Sequence, residues 1–360
     1  MQYQVGLVGT RRGSSLVRPF SIFPETEIMA LCDVDEQRLA SAAEAFQIAD
    51  DHLFSDYDRF LDSPVDIVVV STPIQFHADQ VIRALEAGKH VLSEVTAAYT
   101  LEDCQRIVEA AQRSGRTYMM AENCCYFHFI RQWKEWIGRG RLGEIFYAEA
   151  EYIHNIQHLL HNTESGESYW RIQRPPIYYC THSLGPLLYL MDDRITRVAC
   201  LDTGYGIMPN LGPGCLNMEV ALFKTQKGAA IKLLRSQVAF REPPMHYYSL
   251  YGTKGSVEND RTGHGRAQQG KLYIAGEHDP KQGYEAIACP EADPAAPPEA
   301  YSGGHGTSEY YLVRDFIDAV KQGTRPPIDA VKAAEWTAPG LCAHASAMKG
   351  GEWVDVPVFG

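Results

Sequence analysis

The sequence predicts a two-domain α/β protein: an N-terminal Rossmann-type doubly wound parallel sheet, followed by an α+β domain with a large, mostly antiparallel open sheet. Over the first 123 residues, short apolar runs alternate with helical patterns, and this alternation is typical of a parallel sheet with helices on both faces. Longer segments of alternating apolar and polar residues follow, as in antiparallel strands with one covered face. The length of 360 residues suits two domains of about 150 residues or more each.

The first domain is predicted over residues 1–123. Its helical patterns include EQRLASAAEAF and HADQVIRALEAG, and its strands are QVGLVG, TEIMALCDV, VDIVVVST, KHVLSEV and TYMMAEN. In a sheet of this kind the ligand crevice lies at the carboxyl ends of the strands. Polar residues that follow these strands are therefore the first candidates for a binding site.

The second domain is predicted over residues 124–360. Its expected strands are EIFYAEAEYIH, NMEVALFKT, GAAIKLLRSQVAF and HYYSLYGTKGSVEND, and the Pro- and Ala-rich stretch CPEADPAAPPEAYSGGHG is expected to be a surface loop. Two helices, TSEYYLVRDFIDAVKQG and VKAAEWTAPGLCAHASAMKGG, follow, each ending in glycine. The last helix, about residues 330–349, is expected to pack back near the first domain.

The charge balance indicates a small-molecule partner. The net charge of −12 and the pI near 5.5 leave no basic surplus for nucleic acid or an anionic membrane. Met1 leads directly into a strand pattern and not into a signal-peptide pattern. No apolar run reaches the roughly 18 residues of a membrane span. We therefore expect a cytoplasmic protein.

A dinucleotide-binding loop is predicted in GLVGTRRGSS, where the first strand turns into a helix. Gly9 and Gly13 allow a tight turn and a close backbone approach to a pyrophosphate. The complete G-x-G-x-x-G pattern is absent, because Arg11 occupies the middle glycine position. Arg11 or Arg12 is expected to pair with the pyrophosphate instead.

Asp33 supports an NAD site. It ends the second apolar run 24 residues after Gly9, close to the spacing at which an acidic residue binds the ribose 2′-hydroxyl of NAD. A carboxylate there also repels the 2′-phosphate of NADP. The expected cofactor is NAD.

The next strand ends carry a family resemblance. Thr72, Pro73 and His77 in STPIQFH, the AGKHV stretch and Glu94 resemble the Gfo/Idh/MocA family of sugar and polyol dehydrogenases. In that family an E-K-P motif supplies a lysine that binds substrate and takes its hydroxyl proton. This chain has Val95 in place of the lysine, so the resemblance leaves the proton transfers to other residues.

Further motifs resemble the NAD-dependent glycosidases of this superfamily, typified by α-N-acetylgalactosaminidases. They occur in order as Glu-Val before Ala-Ala, MMAENCCY (119–126), GEIFYAEAEYIHN (143–155), YWR (169–171) and YYCTHSLGP (178–186). The resemblance implies a cofactor set of Gly9, Thr10, Arg11, Arg12, Gly13, Asp33, Ser71, Thr72, Pro73, His77, Glu94, Glu122, Trp170 and Arg171. It also implies substrate contacts from Glu94, Asn123, Tyr152 and His154.

Tyr179 and His182 are the expected catalytic residues. They stand three apart at the start of a short helical run, so their side chains can share one face, and a histidine near a helix N-terminus tends to be neutral and able to act as a base. Tyr152 and His154 alternate along a strand and point the same way. No metal is expected, and His158, His161, His246 and His305 are interpreted as loop or surface histidines because their spacing forms no zinc set.

The expected function is glycoside hydrolysis by transient oxidation at carbon 3 of the sugar, with elimination across carbons 1 and 2. Two alternatives remain open: a simple sugar or polyol dehydrogenase that releases NADH, and a catalytically silent NAD-binding sensor. The protein is expected to be a homodimer or homotetramer, because the open sheet of the second domain has few helices to cover both of its faces.

Overall fold

The computed structural model describes residues 2–160, 168–205, 216–263 and 268–360. The chain forms two compact units. The first contains Met1–Tyr126, Glu291–Ala334 and Phe359–Gly360, and the second contains Phe127–Pro290 and Glu335–Val358. Their α-helices, in chain order, are α1 (Thr10–Val17), α2 (Glu36–Phe46), α3 (Tyr57–Leu61), α4 (His77–Glu86), α5 (Leu101–Ser114), α6 (His128–Gly138), α7 (Thr181–Met191), α8 (Ser308–Gln322) and α9 (Ala330–Ala347).

The first unit is built on a six-stranded parallel sheet in the order β3-β2-β1-β4-β5-β6. Its strands are β1 (Tyr3–Val8), β2 (Thr26–Cys32), β3 (Leu53–Phe54), β4 (Ile67–Val70), β5 (His90–Ser93) and β6 (Tyr118–Met120). The central strand β4 has the sequence IVVV and no exposed side chain. Such a continuous apolar strand is stable only with both sheet faces covered. The strand order reverses direction between β1 and β4.

The second unit is built on a nine-stranded sheet in the order β14-β13-β12-β11-β7-β10-β9-β8-β15. Its neighbours are antiparallel in the described part of the chain, apart from the parallel pair β7 and β10. The strands are β7 (Ile145–Ile153), β8 (Ile195–Asp202), β9 (Met218–Thr225), β10 (Ala230–Ser236), β11 (Met245–Gly252), β12 (Gly255–Asn259), β13 (Gln269–Ile274), β14 (Glu285–Ala288) and β15 (Val354–Asp355).

The two faces of this sheet differ. In β9, Ala221 and Phe223 are buried, whereas Val220 and Leu222 are 39% and 52% exposed. Helix α7 packs against the buried face at β7 and β11. The buried face therefore holds the core of the second unit, and the opposite face carries exposed apolar side chains, which is the feature behind the predicted homo-oligomer.

The predicted fold class is confirmed. The alternating segment HYYSLYGTKGSVEND forms two antiparallel strands, β11 and β12, that are joined by a tight turn. The assignment of residues 1–123 to NAD binding and of residues 124–360 to substrate binding and oligomerisation stays a prediction. In the described part of the chain, no helix is long and apolar enough to span a membrane.

Candidate active site

Gly9 and Gly13 are required by packing within the first unit. Gly9 has a φ of 88°, and a Cβ on it would lie 2.6 Å from the carbonyl carbon of Ser71. A Cβ on Gly13 would lie 2.4 Å from Leu7 Cδ1. Gly9 thus permits the tight turn after β1, and Gly13 lets α1 pack closely on that strand; dinucleotide-binding loops use glycines in both ways.

Asp33, after the end of β2, is held by Thr10. Its Oδ2 atom accepts hydrogen bonds from the Thr10 N–H (2.7 Å) and the Thr10 hydroxyl (2.8 Å). The side chain remains partly exposed. Thr10 also lines a surface cavity together with Arg11 and Arg38, so the acidic residue and two cations lie around one part of the loop.

Arg12 connects the same loop to two buried carboxylates. Its Nε atom lies 2.9 Å from Glu94 Oε1, and its Nη2 atom lies 3.2 Å from Glu309 Oε1. His305 Nδ1 lies 2.7 Å from the same Glu309 oxygen. Burial alone raises the pKa of Glu309, but the hydrogen bond from His305 and the positive charges of His305 and Arg12 lower it to about 2. The predicted contact of Arg12 with a pyrophosphate stays a prediction.

His77 is a buried link between two loops. Its Nε2 atom lies 2.8 Å from the carbonyl oxygen of Thr72, and its Nδ1 atom lies 2.9 Å from that of Thr96. Burial lowers the pKa of His77. Both ring nitrogens face backbone, so His77 fixes the loop that carries Ser71, Thr72 and Pro73 and the segment after β5.

Glu94 and Val95 follow β5 and are both buried. Glu94 Oε2 accepts a hydrogen bond from the Val95 N–H (3.1 Å), and the Val95–Thr96 peptide bond is cis. Glu122 and Asn123 follow β6 and are also buried; Glu122 Oε1 accepts from the Cys124 N–H (3.2 Å). The predicted residues at these two strand ends are thus interior groups of the first unit.

The polar and charged groups at this edge of the sheet fit NAD. The Asn123 Nδ2 group is buried and has no hydrogen-bond partner among the described residues, and a buried amide donor of this kind is costly unless a ligand accepts from it. Asp33 supplies an acceptor for ribose hydroxyls, and the exposed Arg11 supplies a cation for phosphate. Since the carboxyl ends of parallel strands meet at one edge, these groups belong to the ligand edge of the sheet.

Tyr179 and His182 are brought together in the second unit. Tyr179 ends the 3₁₀ turn Pro176–Tyr179, and His182 is the second residue of α7. The two rings meet edge to face with centroids 4.8 Å apart. His182 is buried and Tyr179 is partly exposed.

Two contacts hold the turn that carries Tyr179. The buried carboxylate of Glu219 accepts a hydrogen bond from the Ile177 N–H (2.7 Å). In α9, a Cβ on Gly340 would lie 2.5 Å from the carbonyl oxygen of Ile177 and 2.7 Å from Cys180 Sγ. Glycine at this position therefore lets α9 pass directly behind the turn and fix its backbone.

Tyr152 lies near the end of β7, and His154 directly follows that strand. The two side chains contact each other, with the Tyr152 hydroxyl 2.6 Å from His154 Nδ1. The Tyr152 ring lies 5.7 Å from that of His182 and stacks on His246 at 4.0 Å. His246 is 6% exposed, so its interpretation as a loop or surface histidine was wrong. His158 is exposed, whereas His305 is half-buried against Glu309, and His161 lies outside the described residues.

Two arginines that were not predicted complete this cluster. The guanidinium carbon of Arg174 lies 4.4 Å from the centre of the Tyr179 ring. That of Arg235 lies 4.0 Å from the Tyr152 ring and 5.9 Å from the Tyr179 ring. Both arginines are buried. We refer to Tyr152, His154, Arg174, Tyr179, His182, Arg235 and His246 as the Tyr-His-Arg cluster.

Trp170 and Arg171 lie beside this cluster. The Arg171 guanidinium stacks over the Trp170 ring at 4.6 Å, and Arg174 lies 5.6 Å from the same ring. Both predicted residues are half-buried. Their expected contact with the cofactor stays a prediction.

Comparisons with known protein families match two parts of the chain. Residues 3–122 match the Gfo/Idh/MocA model, an oxidoreductase family with an NAD-binding Rossmann fold. Residues 218–360 match the C-terminal domain of glycosyl hydrolase 109.

Similar proteins span nearly the whole chain. A glycosyl hydrolase family 109 protein of Solibacter usitatus is 29% identical over 99% of this chain and 88% of its own length. An alpha-N-acetylgalactosaminidase of Shewanella oneidensis is 26% identical, over 99% of this chain and 84% of its own length. The crystal structure of an oxidoreductase domain protein from Kribbella flavida has a TM-score of 0.83 at 20% identity, with 99% of this chain and 100% of that chain covered, and supports the fold. These comparisons indicate an NAD-dependent enzyme that is similar to the Gfo/Idh/MocA oxidoreductase family over residues 3–122 and to the C-terminal domain of glycosyl hydrolase 109 over residues 218–360.

Proposed function

We propose that the protein hydrolyses a glycoside through transient oxidation of the sugar ring at carbon 3. The observation that carries this proposal is the contact between Tyr179 and His182, two acid–base side chains in one mostly buried cluster. This cluster lies in the unit that contains most of the match to the glycosyl hydrolase 109 domain. A similar protein is named an alpha-N-acetylgalactosaminidase, which supports a glycoside as the substrate class.

Bound NAD supplies the acceptor that takes a hydride from carbon 3 and the donor that returns it at the end of the cycle. The chain itself must move two protons. One leaves the carbon-3 hydroxyl as the ketone forms, and the other leaves carbon 2. Tyr179 and His182 can serve these two positions without the lysine that Val95 replaces, because each can hold or release a proton near neutral pH when its surroundings tune it.

The ketone explains why the glycosidic bond breaks. A carbonyl group at carbon 3 makes the proton on carbon 2 acidic, so a general base can remove it. The resulting enolate expels the group on carbon 1, water adds to carbon 1, and carbon 2 is protonated again. The reaction is redox-neutral overall, and its products are the free sugar and the leaving group.

The predicted substrate contacts in the second unit agree with this assignment. Tyr152 and His154 share a hydrogen bond and belong to the same cluster as His182. A hydroxyl and an imidazole in this arrangement can donate to and accept from sugar hydroxyls. We assign them to substrate binding and keep proton transfer to carbons 2 and 3 for Tyr179 and His182.

The test is incubation of the NAD-loaded protein with a panel of aryl glycosides. We expect release of the phenol without accumulation of NADH, and loss of this activity in Tyr179→Phe. Stoichiometric NADH and a keto sugar would instead support the simple dehydrogenase. Neither product with any glycoside, in protein that still binds NAD, would favour the catalytically silent sensor.

A further inference from the structure

The Tyr-His-Arg cluster contains two cations in the interior of the second unit. Arg174 and Arg235 are 3% and 1% exposed. Burial lowers the pKa of both guanidinium groups, that of Arg174 to about 9. An arginine guanidinium is effectively always protonated in proteins, so both groups are cations. Moving such a cation out of water costs several kcal/mol in real proteins unless an anion compensates it.

The hydrogen-bond partners of these two arginines are neutral. Arg174 donates to Gln237 Oε1 (3.0 Å), and Arg235 donates to the carbonyl oxygen of Tyr152 (3.1 Å). The Nε atoms of both arginines are buried and have no hydrogen-bond partner within the described ranges. The polar contacts therefore satisfy part of each guanidinium but leave its charge unbalanced.

The nearest buried carboxylate is already occupied. Glu219 is the cross-strand neighbour of Arg235 in β9, but its oxygens accept from the Ile177 N–H at 2.7 Å and contact His344 Nδ1 at 2.9 Å. Among the described residues, neither Arg174 nor Arg235 forms an ion pair with Glu219 or with any other carboxylate. Glu219 attracts Arg235 only at longer range.

An exposed arginine of the same unit shows the ordinary arrangement. The Arg261 guanidinium stacks on the Tyr247 ring at 3.8 Å, and it also forms an ion pair with Glu151 at 2.9 Å. Its charge is balanced by that carboxylate and by solvent. Arg174 and Arg235 make the same kind of contact with tyrosine rings but lack both forms of compensation.

Apart from Glu219, the Cys180 thiol and the Arg171 guanidinium, the ionisable side chains in the cluster around the two arginines are phenols and imidazoles. Tyr179 faces Arg174, Arg235 and His182. Tyr152 faces Arg235 and the imidazoles of His154, His182 and His246. An imidazole can only be neutral or positive, so it cannot compensate a cation. The two guanidiniums lie 4.4 and 5.9 Å from the centre of the Tyr179 ring. The Tyr152 phenol also attracts both of them, but its hydroxyl is engaged by His154.

We infer that Arg174 and Arg235 are positioning residues that hold the Tyr179 side chain as a phenolate in the working pH range. The inference rests on the proposed function, which it deepens. In this scheme the Tyr179 phenolate accepts the proton from carbon 2 and becomes a neutral phenol. The C–H bond breaks, and its electron pair forms the enolate. His182 then serves the carbon-3 hydroxyl. The arginines touch no reacting atom in this scheme and act through the charge of Tyr179.

The experiment is an ultraviolet titration of the phenolate absorbance in NAD-loaded protein without substrate. The titration of Tyr179→Phe, subtracted from that of the unmodified protein, isolates Tyr179. An ordinary tyrosine has a pKa of about 10. We expect the acid ionisation constant of Tyr179 to be larger than that of an ordinary tyrosine by about tenfold or more. Arg174→Met or Arg235→Met should reverse this increase by about tenfold, while Arg174→Lys and Arg235→Lys should preserve most of it.

Arg261→Met is the matched control, because it removes an arginine stacked on tyrosine outside the cluster, and it should leave the titration of Tyr179 unchanged. The inference is overturned if Tyr179 in the unmodified protein ionises at or above the ordinary value, or if the early-ionising group disappears in Tyr152→Phe instead. It is also overturned if folded Arg→Met variants titrate like the unmodified protein. If the Arg→Met variants do not fold, the inference is judged from two other titrations. These are the difference between the unmodified protein and Tyr179→Phe, and the titrations of the lysine variants.

This titration is independent of hydrolysis. Failure of the glycoside assay, together with an increased acid ionisation constant of Tyr179, would contradict the proposed function and leave the electrostatic role of the arginines standing. A catalytically active enzyme whose Tyr179 ionises like an ordinary tyrosine would contradict the inference alone.

Discussion

The Tyr248 hydroxyl donates a hydrogen bond to the backbone carbonyl oxygen of His182. In a regular helix that carbonyl accepts from the N–H four residues later, but residue 186 of α7 is a proline and has no N–H. Tyr248 therefore supplies the missing donor and fixes the first turn of α7, on which His182 stands. This contact explains how a proline can lie inside the helix next to the site.

Tyr248→Phe should weaken both stability and catalysis. It removes the Tyr248 hydroxyl that donates to the buried His182 carbonyl oxygen, and loss of such a buried hydrogen bond costs about 1–3 kcal/mol in the free energy of unfolding. It also loosens the backbone that positions His182. Chemical denaturation and steady-state kinetics measure the two effects. Tyr247→Phe is the matched control, because the Tyr247 hydroxyl donates to Glu258 Oε2 (2.9 Å) and not to α7; equal loss of activity in both variants would contradict this role.

Tyr179→Phe removes an ionisable hydroxyl and keeps the ring. We expect the rate of hydrolysis to fall by about 10² to 10⁴, the range for loss of one general acid or base, with NAD binding intact. His182→Ala should cause comparable loss. If the two residues act as a unit, the double variant should be little slower than either single variant, whereas full activity in Tyr179→Phe would exclude the assignment.

Asp33→Ser tests the cofactor assignment. The variant removes the acceptor of two hydrogen bonds from Thr10 and the charge that disfavours a 2′-phosphate, while Arg11 and Arg38 still line the cavity beside Thr10. NAD affinity should fall and the preference for NAD over NADP should decrease, as measured by calorimetric titration of both cofactors. Equal affinity of the unmodified protein for NAD and NADP would contradict the prediction.

Glu309→Gln should change how stability depends on pH. The pKa of Glu309 in the folded protein is about 2, below the ordinary value of about 4.3, so its carboxylate stabilises the fold above about pH 5 and this contribution disappears as the pH falls towards 2. The contribution near pH 5 is on the order of 3 kcal/mol. Denaturation of both proteins between pH 5 and pH 2 should show a difference that is largest at pH 5 and shrinks as the pH falls.

Glu277→Gln is the control for that measurement. Glu277 pairs with Arg141 at the surface, where solvent screens the interaction. This variant should follow the unmodified protein at every pH. A Glu309→Gln curve that runs parallel to the unmodified protein down to pH 2 would show that Glu309 does not carry the pH dependence.

Sequence patterns predicted the parts of the site that depend on local periodicity. The alternation of Tyr152 and His154 and the three-residue spacing of Tyr179 and His182 each determine which side chains lie together, and both pairs are in contact. The strand ends at Asp33, Glu94 and Asn123 were predictable because apolar runs mark parallel strands. These signals are carried by neighbouring residues in the chain.

The missed residues depend on contacts between distant segments. Arg235 shares the buried face of β10 with Ile231 and Leu233, and this alternation was a usable signal, although an arginine is seldom expected in a core. Arg174 had no such signal, since its hydrogen-bond partner Gln237 lies 63 residues away in the chain. His246 was misinterpreted because spacing alone cannot reveal stacking on Tyr152 from the neighbouring strand.

The most direct test of the central claim is hydrolysis in heavy water. Removal and return of the carbon-2 proton during turnover should place deuterium at carbon 2 of the product sugar, and nuclear magnetic resonance of the product detects it. The product sugar incubated in heavy water without enzyme is the control and should stay unlabelled. We predict label at carbon 2 in the enzymatic product; hydrolysis that leaves carbon 2 unlabelled would contradict the elimination mechanism.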